Sequence, residues 1–265
     1  MSTFAPVVEP EEVVAFLRRV PLAVDRERLI RLALGFPRRY LFETPGPEIV
    51  RHFALMESLG GRASASSLSR SGGGWRLCLV ARDRRALLAR VTGTLTAFGQ
   101  RIVSAEGFAN ANALVLEVFS FLDPRGRLEK EARRRELLNL LGEAVEGRGD
   151  TRELMQRAVA EDGWPAAQTL GLAFDNRLHP RATRLEITGA EFFGLLPLVS
   201  RFLADDGCDI ETVHAETLDG RARLELYVVR EGQKLTPAAQ TSLRRRLQAF
   251  GEAAFRADSG PPPQA

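Results

Sequence analysis

The chain has 265 residues, 45% apolar and 27% charged, with 15 Phe. That is enough apolar material for ordinary cores, and the balance excludes disordered and fibrous classes. The 37 Lys and Arg against 34 Asp and Glu leave a net charge of +3, too little over this length for a nucleic-acid footprint. The length exceeds the usual domain of about 100–150 residues, which points to two compact domains and a leader.

Residues 1–59 read as a helical leader. Val, Phe, Leu and Ile recur at helical spacing over 11–20 and 26–34, and Pro45-Gly46-Pro47 opens a third helix over 48–58. Three such short helices bury little surface alone, so they are expected to dock on the remainder of the chain. Acids at Glu9, Glu11 and Glu12 stand where a secretory leader would be basic. The apolar run 113–122 falls well short of the roughly 18 residues of a membrane span. Cys78 and Cys208 lie far apart in apolar surroundings, the pattern of buried thiols in a reducing compartment. The expectation is a cytoplasmic protein that engages neither membrane nor nucleic acid.

Residues 60–74 hold five Gly and five Ser in fifteen positions without an apolar period, which reads as a flexible linker. Next come a strand from Trp75, a helix over 84–98, strands over 101–108 and 113–122, and a charged helix from Leu128 into Leu141. The order then repeats: strand 184–187, helix 194–204, strands 209–215 and 222–229, helix 237–250, and a short strand 252–256. Gly99-Gln100 and Asp206-Gly207 stop the first helix of each unit, and Asp219-Gly220 marks a hairpin.

Both passes read β-α-β-β-α. A closing strand, 171–174 in the first, would complete the split βαβ pattern of a ferredoxin-like sheet. The expected class is α+β, with two ferredoxin-like βαββαβ domains in tandem at 75–177 and 182–257. An extra helix at 151–160 is inserted in the first copy, and 258–265 form a disordered tail.

Aligning the passes places Asp83-Arg84-Arg85-Ala86-Leu87-Leu88 against Glu191-Phe192-Phe193-Gly194-Leu195-Leu196. Both resemble the D-R-P-G-L-L turn of ACT domains, where glycine lets a ligand carboxylate approach amides at a helix start. Four further segments resemble the C-terminal portion of bacterial PII uridylyltransferase/uridylyl-removing enzymes. They are Phe36-Pro37-Arg38-Arg39-Tyr40-Leu41 with its continuation to His52, Phe174-Asp175-Asn176 before Thr183-Arg184-Leu185-Glu186-Ile187, Leu116-Glu117-Val118-Phe119 with Asp123-Pro124, and Leu224-Glu225-Leu226-Tyr227-Val228 with Gly232-Gln233-Lys234-Leu235.

The resemblance implies a regulatory, amino-acid-sensing module of nitrogen control, with glutamine as ligand and no cofactor. Its partners would be that amino acid and either a second copy joined through ACT domains or a nitrogen-regulatory protein. The Gly-Ser turn with paired aspartates and the His-Asp metal motif of that family's catalytic halves do not occur here, so a non-enzyme is expected. His52, His179 and His214 have no metal-ligand spacing.

The ligand-binding candidates are Glu191, Phe193 and Gly194 at the second turn, Asp83 at the first, and Arg101 and Asp209 at the strand starts. Gly194 keeps the close-approach position, whereas Arg85 and Ala86 replace proline and glycine in the first copy, where a methyl group restricts approach. The second turn is therefore the better pocket candidate. Arg101 suits a carboxylate and Asp209 an ammonium, although both also read as solvated charges at strand ends. Arg133 to Arg135 and Arg244 to Arg246 read as solvated faces. The alternative function is a ligand-independent protein-interaction module whose ACT pockets have degenerated.

Overall fold

The computed structural model describes residues 10–19, 25–148, 155, 157–159, 170–190 and 193–256. Among the described residues the leader forms four helices, α1 (Pro10–Arg19), α2 (Arg26–Leu34), α3 (Arg38–Glu43) and α4 (Gly46–Leu59). The Asp25 carboxylate caps α2 by accepting from the Arg28 amide at 3.1 Å, and Pro47 sits in the first turn of α4, where no amide partner is lost. The third helix goes beyond the sequence reading because six residues are too few to display a period. Leu29, Tyr40, Ile49 and Phe53 close on Val80, Leu116 and Val118 of the sheet. The leader therefore docks, as its short amphipathic helices require.

The rest is a mixed α+β body in which, among the described residues, eight strands form one antiparallel sheet, compatible with tandem ferredoxin-like domains. Its elements are β1 (Ser64–Ser71), β2 (Gly74–Arg82), α5 (Leu87–Ala97), β3 (Arg101–Ala109), β4 (Leu114–Leu122) and α6 (Glu131–Glu146), then β5 (Gly171–Asp175), β6 (Thr183–Ala190), α7 (Leu195–Asp205), β7 (Cys208–Leu218), β8 (Arg221–Arg230) and α8 (Pro237–Arg256). The strand order β1-β2-β4-β3-β7-β8-β6-β5 is palindromic between the halves. The halves join at β3 and β7, whose ladder runs from Ser104 opposite Glu216 to Phe108 opposite Thr212. Its middle rung, Glu106 opposite His214, marks a pseudo-twofold axis. Leu95, Phe119, Leu203 and Leu226 belong to one apolar core that runs through both halves under α5 to α8. The leader helices cover the opposite face of the first half.

Three expectations are corrected. The segment 60–74 contains β1, which pairs with β2 from Ser64 opposite Ala81 to Ser71 opposite Gly74. Gly72 and Gly73, at φ 56° and 80°, make the two-residue turn that lets the strands reverse, and the serines give an edge strand a polar outer side. The run 171–174 does not close the first sheet; it is β5, paired with β6 of the second half. Residues 252–256 are the end of α8 and form no strand. Each half is therefore ββαββα, with its edge strand ahead of the unit. The place a closing strand would take in the second half is held by β5, and the alanines at 253 and 254 favour helix.

Of the helix anticipated at 151–160, Met155 and residues 157–159 are described and are helical. The tail 258–265 lies outside the described residues. Asp219 and Gly220, both at positive φ, form the anticipated β7–β8 hairpin. Both cysteines are buried free thiols, and burial pushes that of Cys78 up to about 12. Among the described residues no helix is long and apolar enough to cross a membrane.

Candidate functional site

The pseudo-twofold sets each strand-to-helix turn beside the other half's strand start. Arg101 and the turn at Phe193 and Gly194 line one cavity. The turn from Asp83 to Ala86 shares a larger groove with Asp206 to Asp209. The six candidate residues thus fall into two crossed sets, apart from Glu191, which lies outside the described residues.

The Gly194 side offers little space. Its cavity measures about 30 Å³, about the share of a single water, whereas small-molecule pockets run to hundreds of cubic ångströms. Phe193 is buried, and the Arg101 guanidinium lies over its ring at 5.8 Å. A Cβ on Gly194, at φ 100°, would come within 2.5 Å of Val159 Cγ2. The close approach that glycine permits here is taken by a side chain of the protein itself.

The Asp83 side is open, with a groove of about 1370 Å³ formed by both halves. Ala86 adopts the left-handed conformation at φ 60°, ψ 22° as the first residue of the turn into α5, and no side chain caps that helix. The methyl group that sequence reasoning took as a barrier is accommodated, at the energetic cost that region imposes on a residue with a Cβ. Arg85 crosses the seam and donates to the Ala204 carbonyl at 3.0 Å. Asp206 accepts from Arg246 Nη2 at 2.9 Å and also from Arg230, so its charge is already engaged. Burial raises the pKa of Asp83, and the Asp209 carboxylate raises it further.

Sequence reasoning missed Glu117. It lies on β4 opposite Leu79 and Gly107, is 2% exposed, and lines the groove. Its Oε2 has no hydrogen-bond partner among the described residues. Burial first, and the charge of Asp83 second, push its pKa up to about 8, so the carboxyl holds its proton at neutral pH. The rung equivalent to Glu117–Gly107 in the second half is Leu224 opposite Ala215, and Leu224 lines the small cavity at Gly194. One copy carries a carboxyl where the other carries an isobutyl group. The signal was present in Val115-Leu116-Glu117-Val118-Phe119, where strand alternation puts Glu117 on the same face as Val115 and Phe119.

Other motif residues have structural work. Asn176 donates to the Leu235 carbonyl at 3.0 Å and accepts from Thr183 at 2.7 Å, while Asp175 accepts from the Arg177 amide at 2.6 Å. The Phe-Asp-Asn segment thus fixes the β5–β6 connection to the turn before α8. Arg134 lies over the Trp75 ring at 5.8 Å and Arg244 over Phe174 at 5.1 Å. Among the described residues no three His, Cys, Asp or Glu side chains are grouped to hold a metal ion.

No family model matches the chain. It is similar to proteins named bifunctional uridylyltransferase/uridylyl-removing enzyme. The match is 29% identical over 198 residues in Caulobacter vibrioides (71% of this chain, 20% of that protein), 29% over 196 residues in Phenylobacterium zucineum (72% and 21%), and 26% over 175 residues in Nitrobacter winogradskyi (64% and 19%). The chain spans about a fifth of the length of the curated relatives it matches.

Proposed function

We propose that this chain is a non-catalytic, tandem ACT-type regulatory module that senses a small amino acid, glutamine by its resemblance to the uridylyltransferase/uridylyl-removing enzymes, in nitrogen control. The observation that supports this reading is the groove between the turn at Asp83 to Ala86 and the strand start at Asp209, which is built by both halves. A ligand there touches both halves at once, so its affinity depends on how they sit together. That differential affinity is what regulation needs. The uncapped start of α5 suits a carboxylate and the carboxyl groups suit an ammonium. Binding in the first copy reverses the preference drawn from Gly194 at the sequence level.

A competing reading, a protein-interaction module with degenerate pockets, draws on the filling of the second site by Phe193 and Val159. A thermal-shift scan against the twenty amino acids, followed by calorimetry, separates the two. At 100 times its dissociation constant a ligand adds about 2.7 kcal/mol of stability. A selective shift that Asp209→Lys abolishes supports the sensor; a flat panel transfers support to the interaction module.

A further inference from the structure

Glu117 is a buried carboxyl with a free oxygen, on the wall of a groove that also presents Asp83 and Asp209. Such an arrangement is costly unless something completes it, because a buried polar atom without a partner loses its hydration uncompensated. Gly107 lies opposite it, where a Cβ would stand at ordinary van der Waals distance, 3.8 Å, from Glu117 Cγ and would meet Val213 Cγ1 at 2.7 Å. The cations nearby are committed elsewhere. Arg85 is held by the Ala204 carbonyl, and Arg230 and Arg246 by Asp206. The rim adds Arg84, His179 and Arg181 together with Glu211 and Glu231; among the described residues the charged group that acts on the Glu117 carboxyl is Asp83.

We infer that Glu117 receives the ammonium group of the ligand, in the groove that Asp83 and Asp209 also line, and that the amine binds by displacing the proton Glu117 holds. This deepens the sensor reading and rests on it. In the step, a carboxylic acid and an alkylammonium become a carboxylate–ammonium pair, and one proton passes to solvent; no covalent bond between protein and ligand forms. An ammonium fits better than a metal ion, since the acids do not converge into a cation cage among the described residues. The second half, with Leu224 at the corresponding rung, offers no such acceptor. The inference therefore also assigns a single ligand to each chain.

The experiment is calorimetry on the full chain with L-glutamine and with every amino acid that shifts its melting. The proton count is made at pH 7.4 in phosphate and in Tris, whose ionisation enthalpies differ, and the affinity is followed from pH 5.5 to 7.5 in MES and phosphate. Glutaramic acid, which keeps the amide and carboxylate of glutamine without the amine, is the control. Expected are release of close to one proton per ligand, an affinity that rises about tenfold per pH unit, no binding of glutaramic acid, and loss of both proton release and pH dependence in Glu117→Gln. Binding with equal heats in both buffers, or glutaramic acid binding as well as glutamine, overturns this inference and leaves the sensor reading intact. If no amino acid binds at all, the sensor reading falls and this one with it. Where Glu117→Gln fails to fold, Glu117→Leu, which copies Leu224, takes its place, and proton release that survives in Asp83→Asn separates Glu117 from Asp83 as its source.

Discussion

Asp83 of the first half and Asp209 of the second face one groove across the seam, and the charge of Asp209 adds to burial in raising the pKa of Asp83. Asp83 in turn raises that of Glu117. The Asp83 and Asp209 carboxylates thus repel each other at the groove, and their charge disfavours ionisation of Glu117 inside the sheet. This repulsion opposes folding at neutral pH and is relieved by protons or by a cation, so the groove should be visible in the pH dependence of stability before any ligand is known.

Glu117 has a folded-state pKa of about 8, against an ordinary value of 4.5. Its contribution to stability is complete below pH 4.5 and is lost as the pH rises through 8, because the unfolded chain ionises first. A difference of one pKa unit between the folded and unfolded states corresponds to about 1.4 kcal/mol, so the loss amounts to several kcal/mol. Glu117→Gln should flatten that part of the profile, and Glu117→Leu, which copies Leu224, should exceed the unmodified protein at pH 8. Melting curves of the three proteins at pH 5 and pH 8 test this; parallel profiles would show that Glu117 is ionised in the fold.

Ala86 holds the left-handed conformation at the start of α5. A residue with a Cβ is strained there and glycine is not, although glycine loses more freedom on folding. Ala86→Gly should therefore stabilise the protein by about 0.5–1 kcal/mol, measurable as a higher denaturant midpoint at unchanged slope. A lower midpoint would mean that the turn is not left-handed.

Hydrogen exchange distinguishes β1 from a linker. The ladder from Ser64 to Ser71 against β2 should hold exchange of the alternate amides that face β2 well below the rate of an open chain. Exchange at the rate of an unstructured peptide across 64–71 would return the segment to the flexible class suggested by its Gly and Ser.

The helices and strands that carry a long apolar period were readable from sequence, and the repeat followed from them. β1 was not, because five serines in eight residues carry no hydrophobic signature and its place is set by pairing with β2. Pairing also decides which half takes β5, and the choice lies between Ile187 opposite Leu172 and a strand many residues away, which no local pattern reports. The six candidate residues were sorted by their likeness to a ligand turn. What the sequence could not say is where empty space lies: Val159 fills the Gly194 side, and it belongs to a segment whose docking depends on the whole fold.

Gly194 is the position where packing and ligand readings predict opposite behaviour. At φ 100°, with Val159 Cγ2 2.5 Å from the place of a Cβ, Gly194→Ala strains the backbone and overpacks the core together. The expected loss is about 2–4 kcal/mol. Val159→Ala alone removes buried methyl groups at a cost of about 1–3 kcal/mol. Combined with Gly194→Ala it should recover part of the loss, because the new methyl then occupies vacated space, giving a coupling of about 1 kcal/mol or more in a double-mutant cycle. Strict additivity would separate Val159 from Gly194. If Gly194→Ala retains full stability but loses an amino-acid response, the ligand site moves from the Asp83 groove to the second turn.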